Sequence, residues 1–527
     1  MKLTPLSRAV NRLTLVVVVL LATTLLAQQL QPAKGSSEIA RLVCAMVERD
    51  HISHHRIDDE ISTRLVDKFL KEFDPQKVYF YQADVDEAHR WNTSLDDQLK
   101  TGNIDFAFQT FATFMKRLEE RVNYAQKLID QPQDFTVQES MPIDGKDQPW
   151  AKSADDLNER WRKRIKFELL SLKLEQEAAA EKKKDPNAKP SKKDPTDDAN
   201  QDPKTRLHKR YRSVLRNFRQ MESDDVLELY LTALANCFDP HSSYMSPTTL
   251  KDFQITMQLS LEGIGAALKS DDGNTIVASL VPTGAAAKDG RLKVGDKIVG
   301  VGQETGEIVD VVEMKLRYVV SMIRGKQNTK VRLKVMSPGS PESKIIELVR
   351  QKVELEESAV KGEIIDVSTR LKGAKGRIGV INIPSFYRDF NGASSGQDDF
   401  KSTARDVKAV LRDFDKKGGV NGIIIDLRTN GGGALSEAID VSGLFIPNGP
   451  VVQVKDQRQD PRSLADEDEE IDYTGPLVVV CNRLSASASE IFAGVIKDYK
   501  RGLIVGDVTT HGKGTVQNVN NVGPRML

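Results

Sequence analysis

The period of the hydrophobic positions changes along this chain. Between residues 36 and about 180 it is helical, most clearly in FAFQTFATFMKRLEERVNYAQKLI. There Phe106, Phe108, Phe111, Phe114 and Met115 fall with Leu118 and Val122 at mostly helical spacing, the stripe of a core-facing helix rather than of a cofactor pocket. Helical patterning returns in VLELYLTALANCF, residues 226–238. From about 255 short apolar runs (LEGIGAALKS, TIVASLV, DKIVGVG, KVRLKVM) alternate with Gly, Asp and Asn, which predicts a small β-rich domain with one helix over residues 311–325. From about 376, GRIGVINI, NGIIIDLR, PLVVVCN and GLIVGD read as strands separated by helical or loop segments, an α/β arrangement with covered strands. The expected domains are a helical one at 36–250, a β-rich one at 255–350 and an α/β one at 351–527.

Residues 181–205, EKKKDPNAKPSKKDPTDDANQDPKT, hold almost no apolar side chain and predict a disordered, solvated insertion in the helical domain. At the N-terminus Lys2, Arg8 and Arg12 precede LTLVVVVLLATTLLA. A charged stretch before an apolar run of that length reads as a secretory signal over residues 1–27, or an anchor if uncut; both take the chain out of the cytoplasm. NVGPRML closes the sequence without a finishing element, so the last domain is expected to be incomplete.

Composition narrows the classes. Lys plus Arg and Asp plus Glu number 76 each, so no net charge favours nucleic acid. Cys44, Cys237 and Cys481 are too few for a disulfide scaffold and form no CxxC pair. His51, His54 and His55 stand at i, i+3, i+4, a spacing that ligates metal on a helix, but no acidic or Cys partner accompanies them, so no metal is expected.

Two strand-to-helix junctions carry candidate chemistry. In IIIDLRTNGGGALSEA, Gly431, Gly432 and Gly433 could turn backbone N–H groups towards negative charge at a helix start. In PLVVVCNRLSASASEIFAG, Ser487 falls near the first turn of a helix, as a cap or as a nucleophile. Lys513, between two glycines in HGKG, is the third element. Each alone is weak.

Together these motifs resemble the carboxyl-terminal processing proteases. SASASEIFAG, DYKRGLIVGD, GKGTVQ, DLRTNGGGALSEA, LSLEGIGAAL, VGDKIVGVGQ, FDPHSSYMSP and HISHHRIDDEIS are similar to that family, over nearly the whole chain. The resemblance implies a helical N-terminal domain, a PDZ domain at 255–350 and a protease domain of crotonase-like α/β type. It implies Ser487 as nucleophile, Lys513 as general base and Gln517 orienting the lysine. Ala488 with Gly433, or its neighbour Gly432, would give the oxyanion-hole N–H groups, and Glu490, Asp498 and Thr509 or Thr510 would support them. The loop before Lys513 is one residue longer than the family pattern, which leaves the two threonines as alternatives, and His511 is a second candidate base. A lysine is a base only when neutral, against a reference pKa of about 10.4 that desolvation lowers.

In the PDZ-like segment Gly263, Ile264, Gly265 and Ala266 would cradle a terminal carboxylate in backbone donors. The implied protein is a periplasmic or envelope endopeptidase without cofactor. Its partners are proteins or peptides with free apolar C-termini and an envelope adaptor, with membrane contact only through the N-terminal segment and no nucleic acid. Two rivals are an inactive PDZ scaffold and an acyl-CoA enzyme of the crotonase class; intact Ser487, Lys513 and Gln517 oppose the first, the signal and PDZ-like segment the second.

Overall fold

The computed structural model describes residues 30–184, 201–370, 373–456 and 460–522. The expected signal at 1–27 lies outside them, as does most of the insertion. Among the described residues, no helix is long and apolar enough to cross a membrane.

The helical region is built on α1 (Ser36–Asp50), α2 (Asp59–Phe73), α3 (Asp105–Asp130), α4 (Ala154–Lys184), α5 (Pro203–Arg219), α6 (Ser223–Ala235) and α7 (Pro247–Gln258). Local chemistry sets their starts. Asp58 accepts from the N–H groups of Glu60 and Ile61, and Asp202 and Ser246 cap α5 and α7, each followed by a proline at the first helical position. The aromatic stripe of α3 is core: Phe114 is fully buried and stacks on Phe73 with centroids 4.9 Å apart. The edges of the Lys-rich insertion differ from the expectation, because α4 continues through Lys184 and α5 already begins at Pro203. HISHH is not helical either. α1 ends at Asp50, His54 has φ 55°, and His51 instead pairs through Nε2 with Asp239 Oδ2 at 2.8 Å.

The β-rich region is entered by β1 (Ser260–Gly263) and left by β8 (Gln351–Glu354), which pair antiparallel as a stem. Between them β2 (Ala266–Asp271), β3 (Asn274–Leu280), β4 (Lys297–Gln303), β6 (Lys330–Met336) and β7 (Ser343–Val349) form one sheet in the order β2-β3-β4-β6-β7, with β5 (Val309–Asp310) on β4. The expected helix at 311–325 is shorter: α8 covers Leu316–Ile323. Asp310 Oδ1 takes the Val312 N–H (2.8 Å) and Glu313 adopts φ 62°, so the backbone turns before the helix begins. α8 packs on β2 and β4. Arg350, only 3% exposed, ties off its end, donating from Nε to Ile323 O (2.8 Å) and from Nη2 to Met322 O (3.0 Å).

The last region is a five-stranded sheet in the order β15-β14-β11-β10-β9, from β9 (Lys361–Asp366), β10 (Arg377–Asn382), β11 (Gly422–Asp426), β14 (Leu477–Cys481) and β15 (Leu503–Gly506). β9 is antiparallel to β10 and the other neighbours are parallel. A hairpin of β12 (Gly449–Val454) and β13 (Arg462–Asp466) stands apart. Helices α9 (Thr403–Lys416), α10 (Leu435–Gly443) and α11 (Ala488–Asp498) bury Val407, Leu411, Val441 and Phe492 with Ile423, Ile425 and Val479 of the sheet. Parallel neighbours β11 and β14 therefore release their following turns at one end of the sheet, side by side.

Candidate active site

The turn after β11 is held by Asn430, which is fully buried. Its Nδ2 donates to Ile383 O at 2.8 Å, and its Oδ1 accepts the Gly432 N–H at 2.8 Å. Gly432 O accepts from Phe386 N (3.0 Å) and Phe386 O from Ala434 N (2.7 Å), so the turn is stitched to the segment after β10. Gly432 has φ 101° and Gly433 φ 151°. A Cβ on Gly432 would sit 2.7 Å from Ser487 Cβ and 3.1 Å from Ala488 N, so the two turns touch and only glycine fits.

The turn after β14 separates the three serines of SASASE. Ser485 is buried and donates from Oγ to Leu427 O (2.8 Å); Ser489 is buried and donates to Asn430 O (3.0 Å). Both are structural. Ser487 is half-exposed, at φ 54°, ψ −115°, at the N-terminus of α11. A non-glycine residue in that region of backbone space stores strain of about 1–3 kcal/mol, which its surroundings must over-determine. They do: Ala486 N donates to Asn430 O (3.0 Å), and Ser487 N to Glu490 Oε2 (2.8 Å).

Glu490 collects the third segment as well. Its Oε1 accepts from Thr510 Oγ1 and Gly512 N, both at 2.6 Å, and its Oε2 also accepts from Lys513 N at 2.9 Å. Burial works to raise its carboxyl, but these bonds from Thr510, Gly512, Ser487 and Lys513 outweigh it and hold the group below the ordinary carboxylate range. The backbones of Ser487 and Lys513 thus meet on one carboxylate oxygen.

Among the other residues expected here, Thr510 rather than Thr509 reaches Glu490; Thr509 is exposed. Gly432 spends its N–H on Asn430, whereas among the described residues the N–H groups of Gly433 and Ala488 have no intramolecular acceptor. Gln517 is exposed and donates to Thr515 Oγ1 (2.9 Å); among the described residues no hydrogen bond joins it to Lys513. Asp498 is exposed at the last residue of α11, about 15 Å of helix from Ser487, and is not part of the cluster. His511 contributes its N–H to Ser485 O (3.0 Å), a backbone role. The sequence reading missed Asn430, Asn482 and Asp507. Asn482 Oδ1 accepts from Thr429 N (3.1 Å) and Leu484 N (3.0 Å), and Asp507 Oδ2 from Arg483 N (3.0 Å). Asn482 and Asp507 stand directly after strands, and Asn430 four residues after one; the signal they share is a short polar side chain in a turn, where it can bond nearby backbone N–H groups.

In the β-rich region Gly263 ends β1, Ile264 is buried, Gly265 has φ 74° and Ala266 starts β2. The carbonyls of Ile264 and Gly265 are taken by Ala286 N and Val281 N, each at 2.8 Å, which fixes the loop from its acceptor side. β2 is the edge of its sheet.

Residues 43–248 match the tail specific protease N-terminal domain, residues 253–336 a PDZ domain and residues 377–526 peptidase family S41. The chain is 40% identical over 469 residues to a tail-specific protease of Haemophilus influenzae, covering 88% of this chain and 61% of that one. It is 31% identical over 315 residues to the carboxy-terminal processing protease CtpA of Bacillus subtilis, covering 59% of this chain and 60% of the relative. The chain thus spans about three fifths of the length of these relatives. A solved PDZ domain of a Vibrio cholerae carboxy-terminal protease, in complex with peptide, is 47% identical, with a TM-score of 0.18, over 18% of this chain and all of that one. With its three domain types in this order and the likeness running through 88% of its residues, the chain belongs to the carboxyl-terminal processing proteases.

Proposed function

We propose that this chain is an exported serine endopeptidase that cleaves with Ser487 and Lys513 and takes proteins by their C-terminal tails. The observation that carries the reading is the shared carboxylate of Glu490, which binds the backbone N–H of both residues across 26 positions of sequence. In the reaction, Ser487 Oγ bonds to the scissile carbonyl carbon while its proton passes to a neutral Lys513 Nζ. The negative oxygen is received by the N–H groups of Gly433 and Ala488, a stabilisation worth about 3 kcal/mol per donor. Collapse breaks the C–N bond, and the departing amine takes the proton from Lys513. Lys513 Nζ, neutral again, then takes a proton from a water whose oxygen bonds to the ester carbonyl carbon. Collapse breaks the C–O bond, releases the new carboxyl terminus, and Ser487 Oγ takes the proton back from Lys513. No metal or nucleotide is needed for these steps.

Tail selection is supported by the edge strand β2, which can accept an extended peptide as an added strand, and by the glycine loop at its start, which can present N–H groups to a carboxylate. Export rests on the charged and apolar pattern of residues 1–27, with the periplasm or cell envelope as destination.

The test is proteolysis of an unfolded substrate by the Ser487→Ala, Ser485→Ala and Ser489→Ala proteins. Ser487→Ala is expected to fold and lose turnover. The other two are expected to keep the chemistry and lose about 1 kcal/mol of stability each, because each removes a buried hydrogen bond. An active Ser487→Ala protein overturns the reading.

A further inference from the structure

We infer that Asn430 is a positioning residue for the oxyanion donors, selecting Gly433 as the N–H that faces the reaction; the inference rests on the reading of Ser487 as nucleophile. A run of three glycines offers several N–H groups in a small space, and a turn without side chains has no means of choosing among them. The choice is made from outside. Asn430 Oδ1 consumes the N–H of Gly432 at 2.8 Å, and Phe386 O consumes that of Ala434 at 2.7 Å. Among the described residues the N–H groups of Gly431, Gly433 and Ala488 are uncommitted. Of the two glycines, Gly433 is the one flanked by both held positions, directly after Gly432, where a Cβ would stand 3.1 Å from Ala488 N.

The same residue fixes how far apart the two donors stand. Its side chain grips the Gly turn and Ile383 O at 2.8 Å each, while its backbone carbonyl accepts Ala486 N and Ser489 Oγ at 3.0 Å each. One buried residue therefore spans both walls of the hole, and Asn is the type that suits it. The amide supplies an acceptor towards Gly432 and a donor towards Ile383 at once. Losing the acceptor frees the Gly432 N–H and lets the turn rotate about its glycines, at positions where no side chain resists.

Substitution isolates the side chain, since the contacts to Ala486 and Ser489 use the carbonyl and persist. Asn430→Ala is expected to lower kcat about 100-fold with KM for a tailed protein substrate unchanged, the scale of losing one oxyanion donor. Affinity for a peptide boronic acid, which forms a tetrahedral adduct on the serine, should fall by the same factor, while binding of a C-terminal tail peptide stays at the wild-type value. Asn430→Asp gives the rescue. Its carboxyl regains both a donor and an acceptor only when protonated, so its kcat relative to wild type should rise as pH falls, whereas that of Asn430→Ala should stay flat. Each comparison is made on protein whose unfolding transition remains cooperative. A folded Asn430→Ala protein within threefold of wild-type kcat, or one that loses kcat but binds the boronic acid normally, overturns the assignment. Wild-type cleavage that survives Ser487→Ala would instead sink the nucleophile reading beneath it.

Discussion

The two halves of the candidate site are built differently. The junction carrying Ser487 and the glycine turn rests on buried neighbours: Ser485, Ala486, Ala488, Ser489 and Asn430 are all in the interior, cross-bonded between the turns of adjacent parallel strands. The segment carrying Lys513 and Gln517, residues 507–521, has no strand or helix and is mostly exposed. Asp507 ties its start to Arg483 N, and around Lys513 its anchors are the bonds of Thr510, Gly512 and Lys513 to Glu490 and of His511 N to Ser485 O. The proposed nucleophile and its donors thus sit in turns between adjacent strands and their helices, while the proposed base is held next to them chiefly by the one carboxylate of Glu490. Order in the first region is distributed; in the second it is concentrated.

The hardest way to break this contrast is at Lys513, the proposed base. Lys513→Arg should abolish turnover, because guanidinium stays protonated and cannot accept the serine proton, while Tm is unchanged at a half-exposed position. His511→Ala should keep turnover, since the bond it makes comes from its backbone. Turnover by Lys513→Arg, or its loss in a folded His511→Ala protein, would move the base.

Glu490→Gln should come next in size. An amide offers one acceptor oxygen where the carboxylate uses two, so donors among Ser487 N, Lys513 N, Thr510 Oγ1 and Gly512 N are left facing an NH2 group. Such a mismatch costs about 1–3 kcal/mol. Amide hydrogen exchange should register it at Gly512 and Lys513 and leave Ala486 protected; equal loss in both places would erase the distinction between the regions. The pH dependence has a definite sign. The Glu490 carboxyl titrates below its unfolded value, so its contribution is complete above the ordinary carboxylate range and is lost as pH falls through the lowered folded value. Wild type should therefore lose protection at Lys513 in acid before the sheet unfolds, and Glu490→Gln should show no such acid limb.

The smallest effect is expected at the Gly263–Ala266 loop. Amidating the C-terminus of a tail peptide should weaken its binding to the full chain about tenfold, as expected when one charge-assisted contact is lost. Equal affinity for acid and amide, measured by titration, would leave the Gly263–Ala266 loop without a carboxylate role.

Much of this was legible from the chain. The strands of the α/β region and the core stripe from Phe106 to Val122 follow directly from periodicity, because burial of one face dictates the spacing. Ser487 was legible as a small, hydroxyl-bearing residue between a strand and a helix, but what separates it from Ser485 and Ser489 is burial and φ, which spacing does not encode. HISHH was misread for a related reason. Its i, i+3, i+4 pattern is helical only if the helix continues, and His51 is drawn instead to Asp239, 188 positions away. Helix length hid in the same manner at 311–315, where Asp310 bonds its own turn. Asn430 was the largest omission, since a single polar residue beside three glycines reads as loop until its partners at 383, 432, 486 and 489 converge on it.

Arg350 gives the end of α8 an electrical character of its own. Helix α8 would otherwise finish as a small pool of negative charge, the sum of its last free carbonyls, beside Gly263, where a Cβ would stand 3.9 Å from Arg324 Cα. A guanidinium buried against the Ile323 and Met322 carbonyls offsets that polarity with a full unit of charge. The carbonyl end of α8 beside the start of β2 is therefore neutralised from within, and replacing Arg350 by a neutral residue would leave those carbonyls uncompensated.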